Sequence, residues 1–292
     1  MKEVFPNYYN KFKCIANKCK HNCCIGWEID IDEDTIDLYD CLDNDFGQRI
    51  RENIEGEEPH FIMKEDGRCP FLNDSGLCDI IIEYGDGAIC DICYLHPRFR
   101  NFYDDFIETG LGLCCEEAVR VILTEEEKFS IELPDDAKNS NFFIERAEVI
   151  NILQDRSVTF CERFNTVAEK YNLNFNIDAG KICDLFLSLE RLDKAWENEI
   201  EKIKDGKSEK IFASDEFQIM LEQLACYFVF RHFHNGVGFM LLSCLVLGSI
   251  FSDCKSLEEM LEAVRMYSSE IEYCEENIQN INEFIVKNAS SN

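Results

Sequence analysis

Ten of the seventeen cysteines form three bursts between Cys14 and Cys115. The first is Cys14-x4-Cys19-x3-Cys23-Cys24, the second Cys69-x8-Cys78-x11-Cys90-x2-Cys93, and the third the adjacent pair Cys114-Cys115. Thiols gathered this way cross-link as disulfides or bind a thiophilic metal, and the redox compartment decides between the two. The chain opens MKEVFPNYYNKF, without an apolar h-region or a small-residue cleavage site, so a reducing, cytoplasmic setting is expected. In that setting the metal reading prevails.

Soft thiolate sulfur selects zinc or an iron–sulfur cluster. Structural zinc usually takes two close pairs that fold together into a tetrahedron, and only Cys90 and Cys93 have that spacing. The burst from Cys14 to Cys24 is closer to cluster ligation, in which sulfurs reach different corners of a larger object. An iron–sulfur cluster of the 4Fe-4S type is therefore the first reading and zinc the second. Ten thiols exceed the need of one four-ligand centre, so two centres stay open. The radical S-adenosylmethionine spacing C-x3-C-x2-C is not met, because Cys19 and Cys23 are followed by Gly26.

The segments that must position these thiols are short and rich in turn formers. EIDIDEDTIDLYDCL begins with alternation and passes to helical spacing at Ile36, Tyr39 and Leu42, with Asp32 or Asp34 as the cap. The stretch from Gly47 to Pro59 predicts irregular chain or a short helix. Residues 60–134 show little periodicity and carry Asp66-Gly67, Asn73-Asp74-Ser75-Gly76 and Gly85-Asp86-Gly87, all turn signals. A bound metal could staple such a module.

Beyond Pro134 helical patterns take over, at 139–170, 177–204, 214–233, 236–251 and 256–286. Phe143, Ala147 and Ile150 mark one expected buried face, and Leu185, Leu189 and Leu192 another. The expected fold is mainly α: a loop-rich, metal-bound cysteine module over residues 1–134, then an all-helical domain over 135–292. The remaining cysteines, 41, 161, 183, 226, 244, 254 and 274, are expected to act as small buried hydrophobes.

Composition sets outer bounds. Hydrophobic residues make up 46% and aromatics 12%, as in globular chains. Fifty-eight acidic against 29 basic side chains leave a net charge of −29, which argues against nucleic acid and for a cationic partner, or simply for solubility. The uncharged run from Asn235 to Ser252 is short for a membrane span and contains Gly and Ser, so a buried core helix is expected.

Several stretches together resemble the flagellin lysine-N-methylase family, within the wider group of zinc- or iron-chelating proteins of the CxxCxxCC type. They are YYNKFKCIANKCKHNCCIGWEIDID, GRCPFLNDSGLCDI, GAICDICYLHPRFRNF and LGLCCEEAVRVIL, with YFVFRHFHNG near Cys226, so the likeness spans most of the chain. The family's third burst reads Ser-Cys-Pro-Glu, where this chain has Cys114-Cys115-Glu116-Glu117, so Cys115 takes the family position and the proline is lost. The resemblance implies methyl transfer from S-adenosylmethionine to lysines of flagellin by a protein with an iron–sulfur centre. On that reading Cys14, Cys19, Cys23, Cys24, Cys69, Cys78, Cys90, Cys93 and Cys115 are the candidate metal ligands.

No G-x-G-x-x-G joins a strand to a helix, so the cofactor site is not legible. The catalytic residues are likewise unassigned. Tyr94, Arg98 and Glu117 are candidates, and His96, Arg120, Arg231 and His232 also lie in or near the motifs. For each, a structural hydrogen bond or ion pair is the favoured reading. His232 and His234, two apart, face different sides of a helix and do not suit a shared metal. The non-enzymatic alternative is an iron–sulfur or zinc protein with a partner-binding helical domain. Oligomeric state is not legible.

Overall fold

A computed structural model describes residues 1–289, and within them the chain is mainly α, with fifteen α-helices and five short strands. Contacts divide it into two compact units, one of residues 13–99 and one of residues 1–12 with 100–292. These bounds differ from the expected boundary near residue 134. Residues 100–134 pack with the later helices: Glu116–Leu123 lies against Gln218–His232 and Leu257–Tyr267.

The unit of residues 13–99 is built from four short helices and tight turns. Asp32, one of the two expected caps, caps Glu33–Asp40 by accepting from Thr35 N at 2.9 Å. Asn44 caps Asp45–Arg51 through Gly47 N at 2.8 Å. Each such cap contributes about 1 kcal/mol. The alternating Ile29 and Ile31 turn inward with Tyr39, Ile50, Phe61, Phe71, Leu72 and Ile80 to make a core of the unit's own. Tyr39 anchors it to the later turns by donating to Ala88 O at 2.8 Å.

In the other unit, Phe106–Leu111 pairs in parallel with Lys2–Val4, with Lys2 opposite Phe106 and Val4 opposite Glu108. Its other edge carries the strand Arg98–Phe102, whose last three residues belong to this unit. The loop-rich reading of 60–134 is amended here by these two strands and by Glu116–Leu123, which buries most of its residues. Strands of five and six residues and an eight-residue helix are too short to print a period between turns.

The apolar run predicted as a core helix is one. Val237–Phe251 is almost wholly buried and packs against Gln218–His232, Ser208–Phe212, Ala195–Asp205, Leu257–Tyr267 and Glu275–Asn288. A Cβ on Gly248 would stand 2.5 Å from Phe212 Cε1, so the glycine permits the close approach of the Ser208–Phe212 turn. No helix among the described residues is long and apolar enough to cross a membrane.

Three long helical patterns resolve into pairs. Residues 139–170 form Asn141–Leu153 and Phe160–Lys170, because Thr159 restarts the helix in a reciprocal capping box with Glu162. Residues 177–204 form Ala179–Ser188 and Ala195–Asp205, and 256–286 form Leu257–Tyr267 and Glu275–Asn288 around a π-turn at Ser268–Glu272. Two predicted faces also shift. Asn141–Leu153 buries Phe143, Arg146, Val149 and Leu153, while Ala147 is exposed. Arg146 takes an inward position because Glu108, itself buried, accepts both its Nη1 and Nη2 at 2.8 and 2.5 Å. Leu192 lies beyond the end of its helix and is 80% exposed.

Candidate metal centre and a buried polar network

The turns of the 13–99 unit bring its cysteine bursts to one core. Ile25 bridges Arg68 in antiparallel fashion, with Gly26 N donating to Gly67 O at 2.9 Å and Cys69 N to Cys24 O at 2.8 Å. Gly26 has φ +91, so the residue that interrupts the radical S-adenosylmethionine spacing has a backbone reason to be glycine. Asn73 then closes a tight turn, its Oδ1 accepting from Ser75 N and Leu77 N, and Leu72 bridges Cys78. Cys90 starts the helix Asp91–Leu95, which sets Cys93 one turn on with its Sγ 3.6 Å from Cys90 Sγ. Cys24, Cys69, Cys78, Cys90 and Cys93 all pack on or within the core of this unit.

The thiols feel one another. Burial pushes Cys69 up to about 11, with Cys78 and Cys90 adding to the shift, and it raises Cys78 as well. Cys24 is raised by its bond with Cys23, by burial, and by Cys69 and Cys78. Cys93 is raised by Cys90, by burial, and by Cys24 and Cys69. Each pair has one favoured thiolate: Cys23 is lowered to about 7 by Cys24, and Cys90 is lowered by Cys93. Several sulfurs that resist joint ionisation form a site whose charged state a soft cation would stabilise.

The donor chemistry therefore fits a thiolate-bound metal. Among the described residues, no three Cys, His, Asp or Glu side chains already converge on a metal position. Cys90 and Cys93 stand near the sulfur–sulfur separation of tetrahedral zinc, about 3.8 Å for Zn–S of about 2.3 Å.

The other predicted ligands are placed as follows. Cys14 is exposed, its Sγ accepting from Ala16 N, and Cys19 donates to His21 O at 3.2 Å. Cys115 lies in the other unit, as N-cap of Glu116–Leu123. Of the scattered cysteines, 183, 226 and 244 are buried as expected, 161, 254 and 274 are half-buried, and Cys41 is exposed at the end of its helix.

The candidate catalytic residues have structural work. Arg98 donates to Tyr94 O and His96 O, holding the end of the Asp91–Leu95 helix. Glu117 is clasped by Arg120 through two bonds of 2.6 and 2.7 Å. Tyr94 is exposed.

A second constellation, in the helical unit, escaped the sequence reading in all but Arg231 and His232. Gln218–His232 presents Tyr227 and Arg231 one turn apart, and the π-turn Ser268–Glu272 brings Glu272 to meet them. π-Turns often mark functional sites. Tyr227 Oη accepts from Arg231 Nη1 at 2.8 Å and from Leu113 N at 3.3 Å, and donates to Glu272 Oε2 at 3.1 Å. His232 Nε2 lies 2.6 Å from Glu272 Oε1, and Asn235 Nδ2 is 3.1 Å from His232 Nδ1. Tyr273 adds its ring beneath Arg231, 4.5 Å from the guanidinium, and its hydroxyl 3.1 Å from Cys114 Sγ.

Burial lowers His232, outweighing the opposing pull of Glu272, and Glu272 Oε1 is placed to accept from an Nε2–H of the neutral ring. Burial would raise Glu272, but Arg231 and His232 outweigh it and hold the carboxylate below its usual range. Glu272 is one of 58 acidic residues, and no local sequence pattern reports that its side chain faces inward.

Against known proteins, the chain is 25% identical over 142 residues to a protein named Lysine-N-methylase from Salmonella typhimurium, and equally to one from Salmonella choleraesuis. It is 25% identical over 142 residues to the flagellar biosynthetic protein FliU of Salmonella muenchen. Each match covers 45% of this chain, a smaller share than the motifs suggest, and 35% of either methylase or 84% of the flagellar protein. The chain thus matches about a third of the length of the curated methylases. These similarities support a relation to the lysine-N-methylase group. No family model and no solved structure matches.

Proposed function

We propose that this chain transfers methyl groups from S-adenosylmethionine to lysine side chains of a flagellar protein, flagellin being the expected substrate, and that its thiols hold an iron–sulfur centre. The observation that carries the reading is the similarity to two proteins named Lysine-N-methylase and to a flagellar biosynthetic protein. Cys24, Cys69, Cys78, Cys90 and Cys93 would hold the metal, with Cys14, Cys19, Cys23 and Cys115 as further candidates. S-adenosylmethionine supplies an electrophilic methyl group whose C–S bond breaks with its electron pair going to sulfur. The lysine must give up one proton first, so that its nitrogen lone pair can form the new N–C bond.

This chain's residues contribute charge and order. Arg98 cannot accept a proton and Glu117 is held by Arg120, so both act as positioning groups. His232, neutral and backed by Glu272, offers Nδ1 as an acceptor, which Asn235 occupies.

Flagellin incubated with anaerobically purified protein and S-adenosylmethionine should gain mass in steps of one methyl group. The preparation should be brown and contain iron and sulfide. A colourless protein with stoichiometric zinc, even after reconstitution, would sink the cluster and leave the thiolate site standing. No mass gain with metal-loaded protein would defeat the enzyme and favour the metal-binding partner protein. That second reading draws on the 13–99 unit, which carries every candidate ligand but Cys115 and has its own core.

A further inference from the structure

The helical unit has an open cleft of about 920 Å³ beside the turn that joins its last two strands. Its wall is aromatic. Tyr103 stacks on Phe106 with centroids 4.8 Å apart and meets the edge of Phe143 at 5.0 Å, and Phe142 packs at right angles to Phe143 at 5.1 Å. Phe102 lines the same cleft and is 68% exposed. Beneath the wall, the buried Glu108–Arg146 pair fixes the rings: Glu108 accepts from Tyr103 Oη, and the Arg146 guanidinium lies 4.8 Å from the Phe143 ring.

The rim is acidic. Asp104, Asp105 and Asp136 line the cleft, and among the described residues none of their carboxylates makes a hydrogen bond or ion pair. The basic side chains lining the cleft are Arg100, whose Nε is 3.7 Å from Glu3, and His234, whose pKa partial burial and Arg231 lower. Singly, each feature has a bland account: an exposed phenylalanine is common, and Asp136 sits in the first turn of Asp135–Lys138. Together, π-faces and free carboxylates around one concavity make the chemistry that holds an organic cation. Half of the lining residues are exposed and only Phe106 and Phe143 are buried, which suits a side chain presented by a macromolecule better than an engulfed cofactor.

We infer that this cleft binds the ammonium-bearing side chain of a lysine on a protein partner, Phe102 and Tyr103 supplying aromatic faces and Asp104, Asp105 and Asp136 the counter-charge. The identification of the cation as lysine rests on the methyltransferase reading; the preference for a cation rests on the cleft. The inference needs no metal and no methyl donor.

The test is saturation-transfer NMR on the full chain with two blocked tripeptides, Gly-Lys-Gly and its isosteric, uncharged Gly-norleucine-Gly. The lysine peptide should bind more tightly, and added salt should weaken it. Phe102→Ala should lower its affinity about two- to fivefold, as loss of one exposed cation–π contact implies, while Phe102→Trp should preserve or improve it. Asp104→Asn combined with Asp105→Asn should weaken the lysine peptide and leave the norleucine peptide unchanged.

Equal affinity for the two peptides, or variants that bind like the parent, overturns the inference. So does displacement of the signal from the cleft by S-adenosylmethionine alone, which would make it a cofactor pocket. Methyl transfer measured in parallel separates the two claims. Lysine binding without transfer retains the cleft and discards the enzyme, whereas transfer with binding and KM unmoved by the three variants does the reverse.

Discussion

Glu272→Gln tests whether the buried network holds the helical unit together. Glu272 is fully enclosed and faces Arg231, His232 and Tyr227 from Gln218–His232, and Ser268 from its own turn. The amide keeps the shape and removes the charge, leaving the Arg231 guanidinium buried without its counter-ion. Its NH2 must also meet either the Nε2–H of His232 or Tyr227 Oη, whose lone pairs already accept from Arg231 and Leu113. Removing one partner of a buried pair costs about 3–5 kcal/mol. For a domain of about 150–250 residues that is a fall of about 6–20 °C in Tm, at about 2–4 °C per kcal/mol.

Thermal unfolding by far-UV circular dichroism reads this directly, and acid adds a second handle. Glu272 sits below its usual range when folded, so its stabilisation is complete above about pH 4.3 and is lost as pH falls through the folded value. His232 is also lowered, among Arg231, His234, Glu272 and Asn235. The unfolded chain therefore takes up that proton first, and stability declines from about pH 6.5 downward. The gap between parent and Glu272→Gln should thus be widest near neutrality and begin to narrow only below about pH 4.3, where the stabilisation of the carboxylate starts to be lost. A gap under about 1 kcal/mol at neutral pH, or one that stays constant into acid, would refute the reasoning.

The other expectations concern the thiol-bearing unit. Removing the metal should raise hydrogen exchange in residues 13–99 far more than in the helical unit; equal protection before and after chelation would show that the core around Ile29, Phe61 and Phe71 suffices alone. Cys93→Ser should lower metal content and abolish methyl transfer, because it breaks the close pair with Cys90. Cys161→Ser, half-buried on Phe160–Lys170, should change neither; equal metal loading in both variants would remove Cys93 from the ligand set.

How far the fold could be read from the sequence depended on where each residue's partner lay. Asp32 capping its own helix, the buried apolar run from Val237 to Phe251 and the turn at Asn73 are all local, and local spacing announces them. The thiol bursts were legible for the same reason. What failed needed partners far away in sequence. Arg146 faces inward because of Glu108, 38 residues earlier, and an apolar-only periodicity put Ala147 there instead. Glu272 lies 40 residues from His232, and nothing around it shows that its carboxylate is enclosed. The long helical pattern at 139–170 was cut where Thr159 offered a new cap, a signal present in the sequence but outweighed by the apolar spacing around it.

The same pairings decide where the charge goes. Glu108 is matched inside by Arg146, Glu222 by Arg163 and Arg156, and Glu272 by Arg231. These enclosed acids are balanced by arginines, so they account for none of the −29 excess, which is left to the less buried parts of the chain. Long-range attraction of a cationic partner is then a property of the exposed carboxylates alone, and it weakens beyond about 8 Å at physiological salt. Such a field gathers basic partners without choosing among them. Choice requires shape, and in the helical unit the free carboxylates of Asp104, Asp105 and Asp136 share a concavity with an ordered aromatic wall.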